Sequence, residues 1–172
     1  AQKSFFEKGV VFQTCNIDKK FPFKQRFDMI ILVQVIEHLL DPKFVIRECK
    51  RHLSTKGKIL IATPNCDAVE FMIFKKYWDG INAPRHIFIF SVRAMETLAK
   101  KMGFTKRTFF PLPDLGIWAL SLQNVLQNLP FLRTRLKNGF AWYTILLGML
   151  FLPIALLTGL GKKSSCMLWV LE

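Results

Sequence analysis

The segment from Phe27 to Asn65 constrains the fold most, because it has the pattern of a strand, a polar turn, a helix and a second strand. Residues Ile30 to Val33 form a continuous apolar run, typical of a parallel strand that helices cover on both faces, so we expect a central strand there. Asp41-Pro42 provides an N-cap and a residue suited to the first helical position. Lys58 to Thr63 has the composition of the next buried strand. The segment therefore predicts a right-handed βαβ unit.

Polar side chains follow both strands of this unit. Gln34, Glu37 and His38 come after the first strand, and Thr63-Pro64-Asn65 ends the second. In open α/β sheets, ligands bind in the crevice outside the carboxyl ends of the strands. A carboxylate beside an imidazole can remove a proton from a hydroxyl group or hold a divalent ion. The alternative for Glu37-His38 is a capping and packing role at the start of the crossover.

A third polar group lies in the segment of residues 77 to 90, which we expect to cover the strand ends as a lid. It begins with Tyr77-Trp78 and contains Pro84-Arg85-His86. Histidine is the usual general base at neutral pH, and arginine can bind a carboxylate or phosphate on a substrate. The alternative is a packed, hydrogen-bonded histidine beside a surface arginine.

Bulk composition fits one α/β domain in a reducing compartment. The 172 residues are 51% apolar, enough for one core. The four cysteines, at positions 15, 49, 66 and 166, form no Cys-x-x-Cys pair, so neither a zinc site nor a disulfide framework is indicated. The net charge of +13 points to an anionic partner. Nucleic acid is disfavoured, because the basic residues are spread along the chain without a stacking-aromatic motif.

The second half of the chain adds a helix and two strands. Ser91 is the expected N-cap of a helix that ends at Gly103. Phe104 to Pro111 has the composition of a strand, and the assignment of Ser165 to Leu171 as the last strand is implied by the resemblance given below. Between them lies a hydrophobic helical insert, residues 112 to 163, that separates the last two strands.

The insert holds two segments without charged residues, Leu115 to Leu132 and Asn138 to Gly161, joined by a linker with three basic residues (Arg133, Arg135 and Lys137). Its second segment is 24 residues long, enough at about 1.5 Å each to cross a roughly 30 Å hydrocarbon layer. A single crossing would place the last β-strand on the opposite side of the membrane from the sheet that it must join.

We therefore expect a hairpin that lies on an anionic membrane without crossing it, kinked at Pro153. The polar residues of the first segment (Gln123, Asn124, Gln127 and Asn128) then form the water-facing side of an interfacial helix. The expected location is the cytoplasm, peripheral to the inner face of the membrane. The alternatives are a cover over the site and a homodimer interface.

The residues resemble a known family. The run Phe-Asp-Met-Ile-Ile-Leu-Val-Gln-Val-Ile-Glu-His-Leu-Leu-Asp-Pro from position 27, then Leu53-Ser-Thr-Lys-Gly57 and Ile61-Ala-Thr-Pro-Asn65, looks like the second half of a class I S-adenosylmethionine-dependent methyltransferase. The most similar branch includes ubiquinone-pathway O-methyltransferases. Asn16-Ile17, Trp78-Asp79 and the run from Pro84 to Ser91 extend the likeness over residues 1 to 110.

The resemblance implies the C-terminal part of a Rossmann-like α/β fold, strands 3-4-5-7-6, with the last strand antiparallel between strands five and six. S-adenosylmethionine is the implied cofactor. Asn16 and Ile17 would lie beside its adenine, and Val33 and Gln34 beside its methionine part. Glu37, His38 and His86 would be catalytic, while Asn65, Trp78 and Arg85 would bind the acceptor.

No metal is expected, because the related ubiquinone enzymes use an acidic residue as a metal ligand where this chain has Gln34. The chain also differs from the family in having no glycine-rich loop and no acidic residue for the cofactor's ribose. Ala1 to Lys8 resembles the end of the second helix, and Val10 to Gln13 the third strand. We therefore expect residues 1 to 172 to be a single partial domain. We expect weak or undetectable binding of S-adenosylmethionine by this chain in calorimetry, and a micromolar dissociation constant would contradict this.

The leading functional hypothesis is O-methylation of a small or lipid-linked acceptor. One alternative is a non-catalytic, membrane-peripheral remnant of the fold. Another is a basic module that binds or methylates RNA.

Overall fold

The computed structural model describes residues 11, 13–129, 142–159 and 161–172. In chain order its elements are β1 (Phe27–Val33), α1 (Pro42–Arg51), β2 (Leu53–Pro64), α2 (Val69–Phe74), α3 (Val92–Lys101), β3 (Arg107–Leu112), α4 (Leu115–Gln127), α5 (Trp142–Thr158) and β4 (Cys166–Leu171). Short 3-10 turns cover Ile36–His38, Lys75–Tyr77 and Asp79–Ile81.

The described strands form one sheet in the order β1-β2-β4-β3. β1 and β2 run parallel, with Ile30 opposite Ile59 and Val33 opposite Ala62. β4 is antiparallel to both β2 and β3. The predicted βαβ unit and the antiparallel last strand are thus confirmed. Because β1 and β2 are parallel, their carboxyl ends lie at the same end of the sheet.

The helix boundaries follow the capping residues of the sequence. The Asp41 carboxylate accepts a hydrogen bond from the Phe44 amide at 3.0 Å, so α1 begins at Pro42. The Ser91 hydroxyl accepts one from the Ala94 amide at 3.0 Å at the start of α3. Side chains on one face of each helix enter the main core with the sheet, including Val45, Ile46, Cys49, Met95 and Ala99.

β1 lies at the edge of the described sheet, and the central position predicted for it in a whole domain stays a prediction. Alternate residues of a strand point to opposite faces. Leu32 is buried, whereas Met29, Ile31 and Val33 on the other face are more than half exposed. The predicted third strand is described only at Val11 and Gln13, which are not in a strand, and the helix predicted for residues 1 to 8 lies outside the described residues.

α4 and α5 pack on each other in a second apolar cluster. The Trp118 ring lies 5.1 Å from that of Phe151 and 5.9 Å from that of Phe74, measured between centroids. The Gln123 side chain is buried, where the Thr144 hydroxyl donates to it at 3.3 Å. The prediction that all four amide side chains of α4 face water is therefore wrong, because Gln123 is buried and Asn124 donates to the Tyr77 carbonyl at 3.2 Å, whereas Asn128 is exposed.

α5 continues through Pro153 as one helix, and the kink predicted at that residue stays a prediction. Among the described residues, no helix combines the length and the apolar character needed to span a bilayer. The linker with Arg133, Arg135 and Lys137 lies outside the described residues.

Candidate active site

A cavity of about 350 Å³ opens at the carboxyl ends of β1 and β2. Side chains from both strand ends, from the segment of residues 77 to 90 and from the start of α4 line it: Gln34, His38, Pro64, Asp79, Gly80, Asn82, His86, Asp114 and Ile117. The segment of residues 77 to 90 lies over the strand ends, as the sequence predicts.

Glu37 connects the strand ends to this segment. Its side chain is 1% exposed, and Oε2 accepts a hydrogen bond from the Thr63 hydroxyl at 3.0 Å. Its carbonyl oxygen accepts hydrogen bonds from the amides of Ile87 at 2.8 Å and Phe88 at 3.1 Å. β2 therefore holds the buried carboxylate of Glu37, and the lid holds the backbone of the same residue.

His86 faces the other carboxylate oxygen of Glu37. The distance from His86 Nε2 to Glu37 Oε1 is 4.0 Å, too long for a hydrogen bond, and Oε1 has no hydrogen-bond partner among the described residues. His86 Nδ1 lies 2.8 Å from the Gly80 carbonyl oxygen. Because a carbonyl can only accept, Nδ1 carries the proton, and the neutral ring keeps its lone pair on Nε2. That nitrogen is placed to accept a proton beside a carboxylate.

His38 repeats this geometry at the exposed rim. Its Nδ1 donates to the Arg85 carbonyl oxygen at 2.8 Å, and its ring lies 4.7 Å from that of His86. Ligand-type atoms of Glu37, His38 and His86 all lie within 4.8 Å of one another. Such a group can close around a divalent metal ion, because metal-bound histidines commonly donate their second ring N–H to a carbonyl. The sequence-based expectation of no metal stays a prediction.

The residues predicted to bind the cofactor lie along the same edge. Val33 is exposed at the end of β1, and Gln34 follows in a left-handed conformation with φ 52°. Asn16 is exposed in a turn whose neighbour Asp18 accepts hydrogen bonds from the backbone amides of residues 40 and 41. Ile17 packs on the main core. This placement fits a ligand lying across the end of β1, and the individual roles stay predictions.

Two of the three predicted acceptor-binding side chains do not reach the cavity. Asn65 is fully buried, and its amide donates to the carbonyls of Lys162 at 2.8 Å and Ser164 at 2.9 Å. Trp78 is 1% exposed and packs against Phe71. These two side chains hold the protein together in this structure, and acceptor binding by Asn65 and Trp78 stays a prediction. Arg85 is exposed beside His38.

Sequence reasoning missed two carboxylates in the cavity wall, Asp79 and Asp114. Burial raises the pKa of Asp79, and Asp114 adds to the effect, while a hydrogen bond with Asn124 and the nearby His86 lower it. Asp114 caps α4 by accepting from the amides of Gly116 and Ile117. The sequence does indicate that Asp114 is an N-cap, because it precedes an apolar run. Nothing in the sequence, however, places the helix that it caps beside the cavity.

A further buried carboxyl, Glu70, makes folding depend on pH. Burial raises its pKa above 4.5 and Asp114 adds to this, although hydrogen bonds with Ser165 and with its own backbone lower it. The folded protein then holds a proton that the unfolded chain releases, so the free energy of unfolding falls as pH rises through this window. Glu70→Gln should raise the free energy of unfolding at neutral pH and flatten that slope.

Urea titration at neutral and at mildly acidic pH measures this effect. Glu96→Gln, on the exposed side of α3, is the matched control. A Glu70→Gln variant less stable than the parent at neutral pH would contradict the argument.

Comparison with known proteins agrees with this architecture. The model of a family described as a methyltransferase domain matches residues 3–108. The tRNA U34 carboxymethyltransferase of Aliarcobacter butzleri is 25% identical over 100 residues, which are 58% of this chain and 33% of that protein. The chain thus spans about one third of the length of this curated relative.

Solved methyltransferases share the fold. A protein from Thermotoga maritima, described as an S-adenosylmethionine-dependent methyltransferase and possible histamine N-methyltransferase, superposes with a TM-score of 0.60 at 14% identity, over 99% of this chain and 67% of its own. A methyltransferase from Archaeoglobus fulgidus gives 0.55 at 14% identity, over 98% of this chain and 70% of its own.

A third neighbour contains the cofactor. Phosphoethanolamine N-methyltransferase 2 of Haemonchus contortus, in complex with S-adenosyl-L-methionine, gives a TM-score of 0.50 at 15% identity, over 91% of this chain and 35% of its own. The family match covers more than half of the chain, and the topology agrees with it. The chain therefore belongs to the methyltransferase-domain family of class I S-adenosylmethionine-dependent methyltransferases.

Proposed function

We propose that this protein transfers a methyl group from S-adenosylmethionine to a hydroxyl oxygen of a small or lipid-linked acceptor, with His86 as the general base. One observation carries the proposal: the Nε2 atom of His86, which holds the lone pair in the neutral ring, lies 4.0 Å from the buried oxygen Oε1 of Glu37 at the ends of β1 and β2.

The chemistry requires little more than alignment and removal of a proton. The cofactor supplies an electrophilic methyl carbon on a sulfonium, and the acceptor must approach it in line. His86 Nε2 accepts the hydroxyl proton, and the Glu37 carboxylate stabilises the imidazolium that forms. The Gly80 carbonyl holds the ring orientation and Thr63 holds Glu37. A neutral amine has a free lone pair and needs no such base for its attack. The pairing of His86 with Glu37 therefore favours a hydroxyl group as the methyl acceptor.

The charge of the cavity wall limits the acceptor further. Glu37, Asp79 and Asp114 place three carboxyl groups in or beside a cavity of about 350 Å³. They disfavour a phosphate or carboxylate deep in the cavity. We therefore propose that an uncharged hydroxyl end of the acceptor enters it, while any anionic part stays outside near the exposed Arg85.

RNA is the second candidate acceptor. The net charge of +13 and the similarity over 100 residues to a protein named as a tRNA U34 carboxymethyltransferase favour it. Against it, the cavity wall carries carboxylates that would repel a phosphate backbone.

Transfer of radioactive methyl from S-adenosylmethionine separates these candidates. A form of the protein that binds S-adenosylmethionine is incubated with a lipid extract or with total RNA, and its His86→Ala variant is run in parallel. We expect label in the organic phase as an alkali-stable ether, and much less with the variant. Label in RNA, or an alkali-labile methyl ester, would overturn the proposal.

A further inference from the structure

α5 contacts the rest of the described protein along one narrow stripe. The residues of this stripe, Thr144, Gly148, Phe151 and Ala155, are buried or half-buried and follow a spacing of three and four. Phe151 packs on Trp118, and a side-chain carbon added at Gly148 would lie 3.7 Å from Leu115 Cβ. α4 therefore covers only this stripe of α5.

The remainder of α5 is apolar and exposed. Its large exposed side chains range from 37% to 72% accessible: Ile145, Leu146, Met149, Leu150, Leu152, Ile154, Leu156 and Leu157. At roughly 100° per residue they cover about 200° of the helix circumference. A water-facing helix carries polar residues on its outer side, and this one carries none there. An apolar medium or partner is needed to cover the face.

The charged residues near the exposed face of α5 favour an anionic membrane over a second copy of the chain as its partner. From position 115 to position 171 the sequence has no Asp or Glu, but it has five basic residues: Arg133, Arg135, Lys137, Lys162 and Lys163. Lys162 and Lys163 are exposed shortly after the end of α5, and they line a cavity whose other charged residues are Arg93, Asp67 and Glu96. Two copies docked through α5 would bring these like charges together, whereas an anionic surface attracts them.

The attachment of α5 limits its orientation. Its 17 described residues reach about 25 Å at 1.5 Å each. At its C-terminal end the chain returns to β4, which lies between β2 and β3 in the sheet. A helix held in this way can lie along a surface with its apolar side down.

We propose that α5 is a membrane-docking helix, which lies in the headgroup region of an anionic phospholipid bilayer with its exposed apolar face towards the acyl chains and Lys162 and Lys163 among the phosphates. Burial of the exposed side chains supplies the apolar part of the affinity. The lysines supply the preference for anionic lipid, roughly fivefold in partitioning for each. The surface is independent of the proposed acceptor and of catalysis.

Flotation of the intact chain with phosphatidylcholine vesicles, with and without phosphatidylserine, tests the proposal. We expect the protein to float at low salt with the phosphatidylserine vesicles and to bind pure phosphatidylcholine at least about tenfold more weakly. Leu150→Glu on the exposed face of α5 should weaken binding roughly thirtyfold.

Leu40→Glu is the matched control, because Leu40 is 71% exposed and Leu150 is 67% exposed. It lies between β1 and α1, and it should leave flotation unchanged. The double variant Lys162→Glu, Lys163→Glu should reduce binding to phosphatidylserine vesicles selectively.

Three results would overturn the proposal. The first is an intact chain that stays in the aqueous fraction with both kinds of vesicle. The second is equal binding to both kinds, unaffected by the lysine substitutions. The third is a stable dimer in solution that Leu150→Glu converts to a monomer without any change in flotation, which would make the face an interface between two copies.

Discussion

In a form of the protein that binds S-adenosylmethionine, the His86→Ala variant should turn over about a hundredfold more slowly than its parent, with the dissociation constant for the cofactor nearly unchanged. His86 Nε2 is the proposed proton acceptor, whereas the predicted cofactor residues lie along the end of β1. Removal of the imidazole takes away proton transfer and leaves the binding edge in place. Formation of S-adenosylhomocysteine under saturating cofactor measures turnover, and calorimetry measures affinity.

His52→Ala is the control for loss of a packed histidine. His52 Nδ1 also bonds a backbone carbonyl at 2.8 Å, that of Glu48, but at the end of α1 and away from the cavity. The His52→Ala variant should turn over at a rate within about twofold of the parent's, because His52 has no proposed part in the reaction. Equal turnover in His86→Ala and the parent would return His86 to a packing role.

The parts of the site that the sequence predicted are those fixed by local patterns. Glu37 and His38 follow an apolar run that ends at Val33, and Thr63 ends the next run. Parallel strands joined by a helix must bring these ends together. The meeting of Glu37 with Thr63 at 3.0 Å thus follows from the βαβ pattern.

The environment of some polar side chains depends on partners that are distant in the chain. Asn65 bonds carbonyls at positions 162 and 164, on the far side of the insert. Gln123 is buried where Thr144 of α5 donates to it. A polar side of a helix indicates only that two sides differ, and it cannot tell which of them faces a second helix.

The Trp118→Ala variant should lose about 3–5 kcal/mol of the free energy of unfolding. Trp118 is 1% exposed, and it packs between Phe74 of α2 and Phe151 of α5. Its truncation removes the contact that holds α5 against α4 and leaves a cavity that flanking helices can fill only in part. Urea unfolding followed by circular dichroism gives the change.

Two further variants show whether the loss comes from packing. Phe110→Ala removes an aromatic side chain that is 46% exposed on β3, and it should cost less than about 1 kcal/mol. Trp118→Phe keeps an aromatic ring and removes an indole N–H that has no hydrogen-bond partner in the described part of the chain. It should therefore recover most of the stability that alanine loses. If Trp118→Ala unfolded at the same urea concentration as the parent, α5 would not depend on this cluster, and the surface proposed for lipid would lack a fixed support.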